Sequence, residues 1–441
     1  MTGTEVRPPL AMRAVPFLPL GLLAALGATL AYVVRLPCRT GGWNDQVSTY
    51  TNFCYTDIYP LYFDRGLSEH NPYFAFDLPF DKQVEYPVVL GEVMQVISWI
   101  ARALEREVAA QAVRFYDLTV LLLGVCLVLG VLLMAAVAGR SRPWDALWYA
   151  ISPAVILAAY INWDLVAGVL CMGMLLAWKW RWTIPAGILL GLAIATKFYP
   201  LMFVGALFLL TLRTAKWRTF FVTMASAVGA WLVVNLPFMI FAWDGWRRFY
   251  VFSQERGVDW GSPWLFFQRK EWPVLGEVDV STLGMVTLAL ACLGIAVLTL
   301  TAPRRPRLAQ ICFLALAAFM MTNKVWSPQF VLWLVPFAVL ARPNWKPLVL
   351  WQLAEVWYFI AIWLYLLSQP PLEREDLGIG DDTYFTAVWG RVITIGIMMA
   401  FVVRDILRPE KDVIRQAGND DRGGGVFDGA PDRFALSSLT K

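Results

Sequence analysis

The sequence predicts an all-α polytopic membrane protein, and three observations carry that prediction. Of 441 residues, 59% are hydrophobic, only 16% are charged and 22 are tryptophan, whereas soluble domains average about 45–50% apolar residues. Apolar runs of roughly 20 residues, the length that spans a bilayer, recur along the chain. The basic residues fall in short loops between these runs rather than in one stripe, so we expect membrane lipids and not nucleic acid as partners.

The first apolar run, 15–34, follows Arg7 and Arg13 and is not followed by a small-residue cleavage site. We therefore interpret it as an uncleaved span rather than a signal peptide. Four of the six cysteines lie within apolar runs, where a thiol packs as a small side chain. Cys38 and Cys54 lie in the loop that follows the first span. They form a disulfide or remain free thiols, and the sequence leaves both alternatives open.

The positive-inside rule requires the basic loops to lie on the cytoplasmic side, which limits the number of crossings. To satisfy it, segment 88–104 cannot cross the membrane, although it is largely apolar. Glu92, Gln95 and Arg102 interrupt this segment, so we predict an amphipathic helix on the outer membrane surface. It belongs to a first extracytoplasmic loop, 37–114, and the second span is then 115–137.

Three long apolar runs are interrupted near their centres by polar residues. We predict that each folds into a hairpin whose halves, where the run is 29 or 30 residues, have only ~11–15 residues and cannot cross alone. Such hairpin tips lie below the outer surface and enclose a cavity with polar walls. The runs and their interruptions are 146–178 at Asp164, 184–212 at Thr196-Lys197, and 311–340 at 323–329.

The remaining spans bring the total to about twelve transmembrane helices, with both termini cytoplasmic. We expect residues 1–408 to form one catalytic unit. The tail, 409–441, has too few apolar residues to fold, and we predict a disordered cytoplasmic end. The remaining spans are 220–242, 280–300, 348–367 and 384–403.

This topology brings two acids, Asp57 and Asp164, to the same side as several cations. A carboxylate and cations around a lipid-accessible cavity suit a lipid-phosphate donor, because the carboxylate can take a proton while the cations hold the phosphate. The cations are Lys197, Arg256, Lys324 and Arg391.

Each of these residues also has a structural alternative. Asp57 and Asp164 could cap the helices that follow them, and Asp164 could form an ion pair instead. The two lysines could extend to lipid headgroups. Arg391 could pair with an acid inside the membrane. The single histidine, His70, argues against a zinc site, no phosphate-binding glycine loop is present, and we expect no cofactor.

Three stretches, taken in order, resemble the GT-C superfamily and specifically glycosyltransferase family 87. The chain is similar to the actinobacterial polyprenyl-phosphate-mannose-dependent α-1,2-mannosyltransferases of that family. It departs from the pattern at Pro87-Val88, where a second proline is common. The stretches are a first-loop pattern (Thr56-Asp57-Ile58-Tyr59, Gly66, Asn71-Pro72-Tyr73, Glu85-Tyr86-Pro87), Ala195-Thr196-Lys197-Phe198-Tyr199-Pro200, and Lys324-Val325-Trp326-Ser327-Pro328-Gln329-Phe330.

The resemblance implies a GT-C fold and inverting transfer of a sugar from a polyprenyl-phosphate donor on the extracytoplasmic side of the plasma membrane. It also implies that Asp57 is the catalytic base. The acceptor would be a hydroxyl of a cell-envelope glycolipid or polysaccharide. The four cations would bind the donor phosphate, and the residues expected to contact substrate are Asp164, Tyr59, Tyr86 and Gln329.

Two other classes of function remain open at this point. A transporter or flippase of a lipid-linked sugar would also explain broken helices and deep charges, but it predicts internal pseudo-symmetry, which the sequence does not show. An accessory scaffold in cell-envelope assembly is the third alternative.

Overall fold

The computed structural model describes residues 15–272 and 279–434, and this part of the chain is helical without a β-strand. Arg7, Arg13 and residues 435–441 of the predicted tail lie outside the described residues. The helices are α1 Phe17–Arg39, α2 Gln46–Thr51, α3 Ile58–Asp64, α4 Val88–Leu104, α5 Val108–Ala138, α6 Leu147–Ile151, α7 Pro153–Ala158, α8 Asp164–Lys179, α9 Thr183–Ile194, α10 Met202–Thr214, α11 Trp217–Phe241, α12 Trp243–Glu255, α13 Pro263–Arg269, α14 Val280–Thr301, α15 Leu308–Thr322, α16 Val331–Ala341, α17 Trp345–Leu367, α18 Asp381–Leu407 and α19 Val413–Gln416.

Six of the described helices, α1, α5, α11, α14, α17 and α18, are long and apolar enough to cross a membrane. Each has at least 22 residues, which corresponds to about 33 Å of helix. The polytopic all-α prediction is confirmed at this level. The total of about twelve crossings remains a prediction.

The three predicted interruptions coincide with breaks between short helices. One lies just before α8, which starts at Asp164; the others separate α9 from α10 and α15 from α16. Pro200 and Pro328 occupy short 3₁₀ turns at the start of the two return limbs, where the fixed φ of proline is tolerated and its missing N–H costs nothing. The five short helices α8, α9, α10, α15 and α16 have 11 to 16 residues. This corresponds to about 17–24 Å, which is less than the ~30 Å hydrocarbon core.

The short helices α8, α10, α15 and α16 run between two polar regions of the molecule. The hairpin tips next to them line a large cavity, which α15 reaches through Phe319 and α16 through Trp333. The other ends of α8, α10 and α15 contact the C-terminal segment, as Arg213 near the end of α10 does through Asp432. The fold therefore has a cavity end and a tail end, separated by little more than the length of these helices.

Close helix packing holds the second hairpin in place. On α9, a Cβ added at Gly187 would lie 2.3 Å from the Thr223 carbonyl oxygen, and one added at Gly191 would lie 2.2 Å from that of Ala227. Only glycine permits this approach, so α9 packs directly against the backbone of α11, as in other small-residue helix contacts.

The amphipathic segment of the first loop forms helix α4, with the same limits as predicted, Val88–Leu104. One of its faces packs against α5. The other exposes Trp99 and Leu104, at 55% and 59% of their surface. This exposed apolar face suits a membrane surface, although the placement of α4 on that surface remains a prediction.

The disordered tail predicted from residue 409 differs from the structure, in which 409–434 is folded against the tail end of the bundle. Trp178 donates its indole N–H to the Gly424 carbonyl at 2.8 Å, and Phe427 is fully buried. Composition alone missed this because the segment is held mainly by aspartates that pair with arginines of the helix bundle, such as Asp412 with Arg307 at 2.7 Å.

Candidate active site

A cavity of about 1000 Å³ opens where the hairpin tips, the first loop and the end of α12 meet. Its wall mixes acids, cations and aromatic rings from segments that are far apart in the sequence. Six of the nine residues predicted to bind or transform substrate line it: Asp57, Tyr86, Lys197, Arg256, Lys324 and Gln329.

The first loop is fixed to the first hairpin tip by two hydrogen bonds around Asp57. The Asp57 backbone N–H donates to the Ile161 carbonyl at 2.7 Å, and the Thr56 hydroxyl donates to the Tyr160 carbonyl at 2.8 Å. Asp57 precedes helix α3, but its side chain makes no capping hydrogen bond. The capping alternative therefore does not account for this carboxylate, which faces the cavity instead.

The Asp57 carboxylate has two polar neighbours, and the hydrogen bonds that they make to it differ in length. The Tyr55 hydroxyl donates to Oδ1 at 2.7 Å, while the Asn162 amide lies 3.5 Å from Oδ2. Burial raises the pKa of Asp57 to about 6, against the lowering effects of the Tyr55 hydrogen bond and of Lys197 and Arg256. At neutral pH the carboxylate is largely ionised and still basic, which suits general-base chemistry.

Lys197 makes an ion pair with Asp164, with Nζ 3.0 Å from Oδ1. The ammonium also lies over the Tyr86 ring, 4.7 Å from its centroid. Asp164 is fully buried behind the cavity wall and does not line it. The ion-pair alternative thus fits Asp164, and Lys197 turns toward this acid rather than toward lipid headgroups.

Lys324 carries a positive charge that neutral groups hold in place. Its ammonium donates to the Gln254 carbonyl at 2.8 Å and to the Ser281 hydroxyl at 2.9 Å. Within residues 15–272 and 279–434 it forms no ion pair with a carboxylate. An ammonium has three N–H donors, so Lys324 keeps one donor and its full charge for an anion in the cavity.

Arg256 lies at the end of α12 and pairs with Asp259 at 3.2 Å. Asp259 also accepts a hydrogen bond from Ser327 at 2.8 Å, and its backbone N–H donates to the Lys324 carbonyl at 2.8 Å. Asp259 therefore joins the two loops that carry the cavity cations. The sequence analysis missed it, although an acid three residues after Arg256 in a tryptophan-rich loop was a signal that could have found it.

Besides Asp164, two predicted residues do not line the cavity. Arg391 on α18 is fully buried, 3.3 Å from Glu355 on α17, and it donates to the Trp326 carbonyl at 3.1 Å. Its surroundings fit the alternative of pairing with a membrane acid and not contact with a donor phosphate. Tyr59 stacks on Trp43, with ring centroids 4.9 Å apart, and does not line the cavity.

Aromatic rings form much of the remaining wall. Tyr55 stacks on Trp363 with centroids 4.5 Å apart, and Tyr199 stacks on Trp333 at 4.4 Å. Trp363 and Trp333 were missed because each has apolar neighbours on both sides in its helix, where no local feature separates a cavity-lining ring from a packed one. Such faces can stack on sugar rings.

The disulfide left open by the sequence is formed in the structure, between Cys38 and Cys54, with Cα atoms 5.9 Å apart. It joins the end of α1 to the segment three residues before Asp57. The loop that carries the carboxylate is therefore tied both to α1 and to the hairpin tip before α8.

The profile of Glycosyltransferase family 87 matches residues 86–323, which is more than half of the chain. The matched region includes Lys197 and Arg256, begins after Asp57 and ends one residue before Lys324. A comparison with curated proteins gave no match. With the helical architecture and the polar cavity described above, the match shows that the chain belongs to glycosyltransferase family 87 and is a membrane glycosyltransferase.

Proposed function

We propose that this protein transfers mannose from a polyprenyl-phosphate donor to a hydroxyl of a cell-envelope glycolipid or polysaccharide, with inversion at the anomeric carbon. The observation that carries the proposal is the sharing of one cavity by Asp57, Lys324 and Arg256. A base and an anion-binding pair are what this reaction requires.

In the proposed reaction, the acceptor hydroxyl gives its proton to Asp57 while its oxygen forms a bond to the anomeric carbon. The bond from that carbon to the phosphate oxygen breaks at the same time, and its electrons leave on the polyprenyl phosphate. Lys324 and Arg256 offset the negative charge that develops on the departing phosphate. Attack opposite the leaving group inverts the configuration.

The other predicted cations have different roles in this proposal. Lys197 is paired with a buried acid, so its net effect on a phosphate is smaller than that of Lys324, and it instead fixes the Tyr86 ring that forms part of the wall. Arg391 is buried beside Glu355 and does not line the cavity, so it is not proposed as a phosphate ligand. Gln329 and Tyr86 remain candidates for contact with the sugars.

We further propose that the cavity faces the extracytoplasmic side of the plasma membrane. Support comes from the basic loops, which gather at the opposite, tail end: Arg142 reaches the Pro343 carbonyl there, and Arg213 pairs with Asp432. Basic loops concentrate on the cytoplasmic side. Because residues 409–434 pack against this end, we extend the catalytic unit beyond 408 to include them.

The test uses purified full-length protein in lipid nanodiscs with labelled polyprenyl-phosphate mannose and a mannoside acceptor. Label in a longer saccharide is the expected result, and Asp57→Asn should reduce the rate by about 100- to 10,000-fold, because general-base catalysis contributes that much. Asp77→Asn is the matched control, since Asp77 is exposed in the same loop and outside the cavity.

Full turnover by Asp57→Asn would refute the assignment of the base. A parallel measurement in proteoliposomes follows the labelled donor across the bilayer. Donor crossing without a new glycosidic linkage would favour the flippase alternative instead.

A further inference from the structure

Tyr55 lies two residues before Asp57, just outside the pattern that resembles the family, and its side chain returns to the carboxylate. The hydroxyl donates to Asp57 Oδ1 at 2.7 Å. The ring stacks on Trp363 of α17, with centroids 4.5 Å apart and planes 26° apart, and Trp363 stacks in turn with Tyr50 of α2. The position of the hydroxyl is therefore set by ring packing from two other helices.

This contact makes the two oxygens of Asp57 unequal. An ionised carboxylate can only accept hydrogen bonds, so the Tyr55 hydroxyl must be the donor and Oδ1 is occupied. Among the residues that the structure describes, Oδ2 has only the Asn162 amide, at 3.5 Å, a distance at which a hydrogen bond is weak. Oδ2 is thus the more available oxygen to receive a proton.

We propose that Tyr55 is a positioning residue that keeps Asp57 ionised and directs its Oδ2 toward the acceptor alcohol. This inference rests on the proposed role of Asp57 as the base. The acceptor proton moves to Oδ2, the acceptor oxygen bonds to the anomeric carbon, and the phosphate departs with the electrons of the broken bond. Tyr55 keeps its own proton throughout.

Other groups around Asp57 also affect its ionisation. Lys197 and Arg256 favour the charged form, and Asp164 opposes it. Lys197 is already paired with Asp164, and Arg256 with Asp259, so each cation is partly offset by its own acid. Tyr50 and Tyr86 are also close enough to interact electrostatically with this carboxylate.

Burial raises the pKa of Asp57 to about 6, and the Tyr55 hydrogen bond acts in the opposite direction. Removing the hydroxyl should therefore raise this pKa further. Because the base must be deprotonated, the acid limb of the pH–rate profile should move to higher pH, whereas the rate at high pH, where Asp57 is ionised in both proteins, should change much less.

The experiment compares Tyr55→Phe, which keeps the stacked ring, with the parent protein in nanodiscs. The acid limb of kcat/KM should shift upward by about one pH unit, giving roughly a fivefold loss at pH 6 and about a tenfold loss well below it, from the usual strength of a hydrogen bond to a charged group. Tyr116→Phe is the control, because Tyr116 packs on Trp43 beneath the same loop but does not line the cavity.

An unchanged profile, or an equal loss at every pH, would overturn the proposal, because a residue that only supports the fold would not shift the acid limb. A second readout does not need turnover. Carbodiimides label protonated carboxyl groups, so mass spectrometry of Asp57 across pH gives its labelling midpoint directly, about pH 6 in the parent. The midpoint should be higher in Tyr55→Phe.

The two readouts separate this inference from the proposed reaction. Full activity of Asp57→Asn would remove the base, yet the labelling midpoint would still report whether Tyr55 controls this carboxylate. If Tyr55→Phe does not yield folded protein, Trp363→Phe tests the same point, since it loosens the stacked support but keeps the hydroxyl. A smaller shift in the same direction is expected there, and an unshifted midpoint would refute the proposal.

Discussion

The cavity end and the tail end carry similar charged residues but arrange them differently. At the tail end, Arg213 pairs with Asp432, Arg305 with Asp420 and Arg307 with Asp412. At the cavity end, Lys324 is held by a carbonyl and a hydroxyl, and Asp57 by a tyrosine hydroxyl. Charges matched in this way at the tail end stabilise the fold, whereas Lys324 and Asp57 at the cavity end remain available to a substrate.

Asp57 also differs from the paired acids of the tail end in its effect on stability. Its folded-state pKa, about 6, lies above its ordinary value because of burial, so ionisation at neutral pH costs stability rather than adding to it. Stability due to this group is therefore greatest below its ordinary pKa and is lost as the pH rises through about 6. Asp57→Asn should consequently leave the thermal unfolding midpoint unchanged or higher while abolishing most activity.

The largest effect on stability is expected at the tail end. Asp412 and Arg307 are nearly fully buried and 2.7 Å apart, and leaving one partner of a buried pair alone costs about 3–5 kcal/mol. Asp412→Ala should therefore lower the unfolding midpoint strongly, measured by differential scanning fluorimetry in detergent. Glu410→Gln is the control, since Glu410 is an exposed acid of the same segment.

A double-mutant cycle sharpens this test. Arg307→Met combined with Asp412→Ala should cost less than the sum of the single changes, because the double variant has no unpaired charge. Additive effects would show that the pair does not couple, and the contrast between the two ends would then fail.

An intermediate effect, on activity and not on stability, is expected for Lys324→Gln. Loss of a hydrogen bond to a charged phosphate is worth about 1.5–3 kcal/mol, so kcat/KM should fall by roughly 10- to 100-fold. The unfolding midpoint should stay nearly constant because no buried partner is left unpaired. Lys270→Gln is the matched control, as Lys270 is an exposed lysine paired only with Asp382.

A large loss of stability with little loss of activity in Lys324→Gln would contradict the assignment. It would mean that the bonds to Gln254 and Ser281 exist mainly to hold the loops together. Initial rates measured over a range of donor concentrations give kcat/KM, and comparison with the unfolding midpoint separates the two cases.

The smallest effect is expected at an exposed pair. Arg374 and Asp376 lie 2.8 Å apart on the surface, where solvent screens the attraction. Asp376→Asn should change neither the unfolding midpoint nor transfer measurably. A clear effect on either would show that solvent exposure does not distinguish ion pairs without effect from those that matter for stability or activity in this protein.

Much of the architecture could be predicted from local sequence features. Long apolar runs gave the helices, and polar interruptions with Pro200 and Pro328 gave the broken hairpins. Asp57 was identified through the resemblance of its loop to the family pattern, because several other acids lie in the same loop. The prediction of disorder was wrong for 409–434 because sparse apolar residues indicate disorder only when no partner supplies the missing interactions.

The sequence by itself determined the helical membrane architecture, the positions of the breaks and the resemblance to the family, since hydropathy, proline geometry and short patterns act over a few residues. Only the tertiary structure decided which polar side chains meet. Asp164 pairs with Lys197, Arg391 pairs with Glu355, and the Tyr55 hydroxyl donates to Asp57. Apart from Tyr55 and Asp57, which are close in sequence, these partners are 33 to 36 residues apart by their numbering. Whether a charge is neutralised or left for a ligand depends on distances of a few ångströms, because electrostatic and hydrogen-bond energies change steeply over that range.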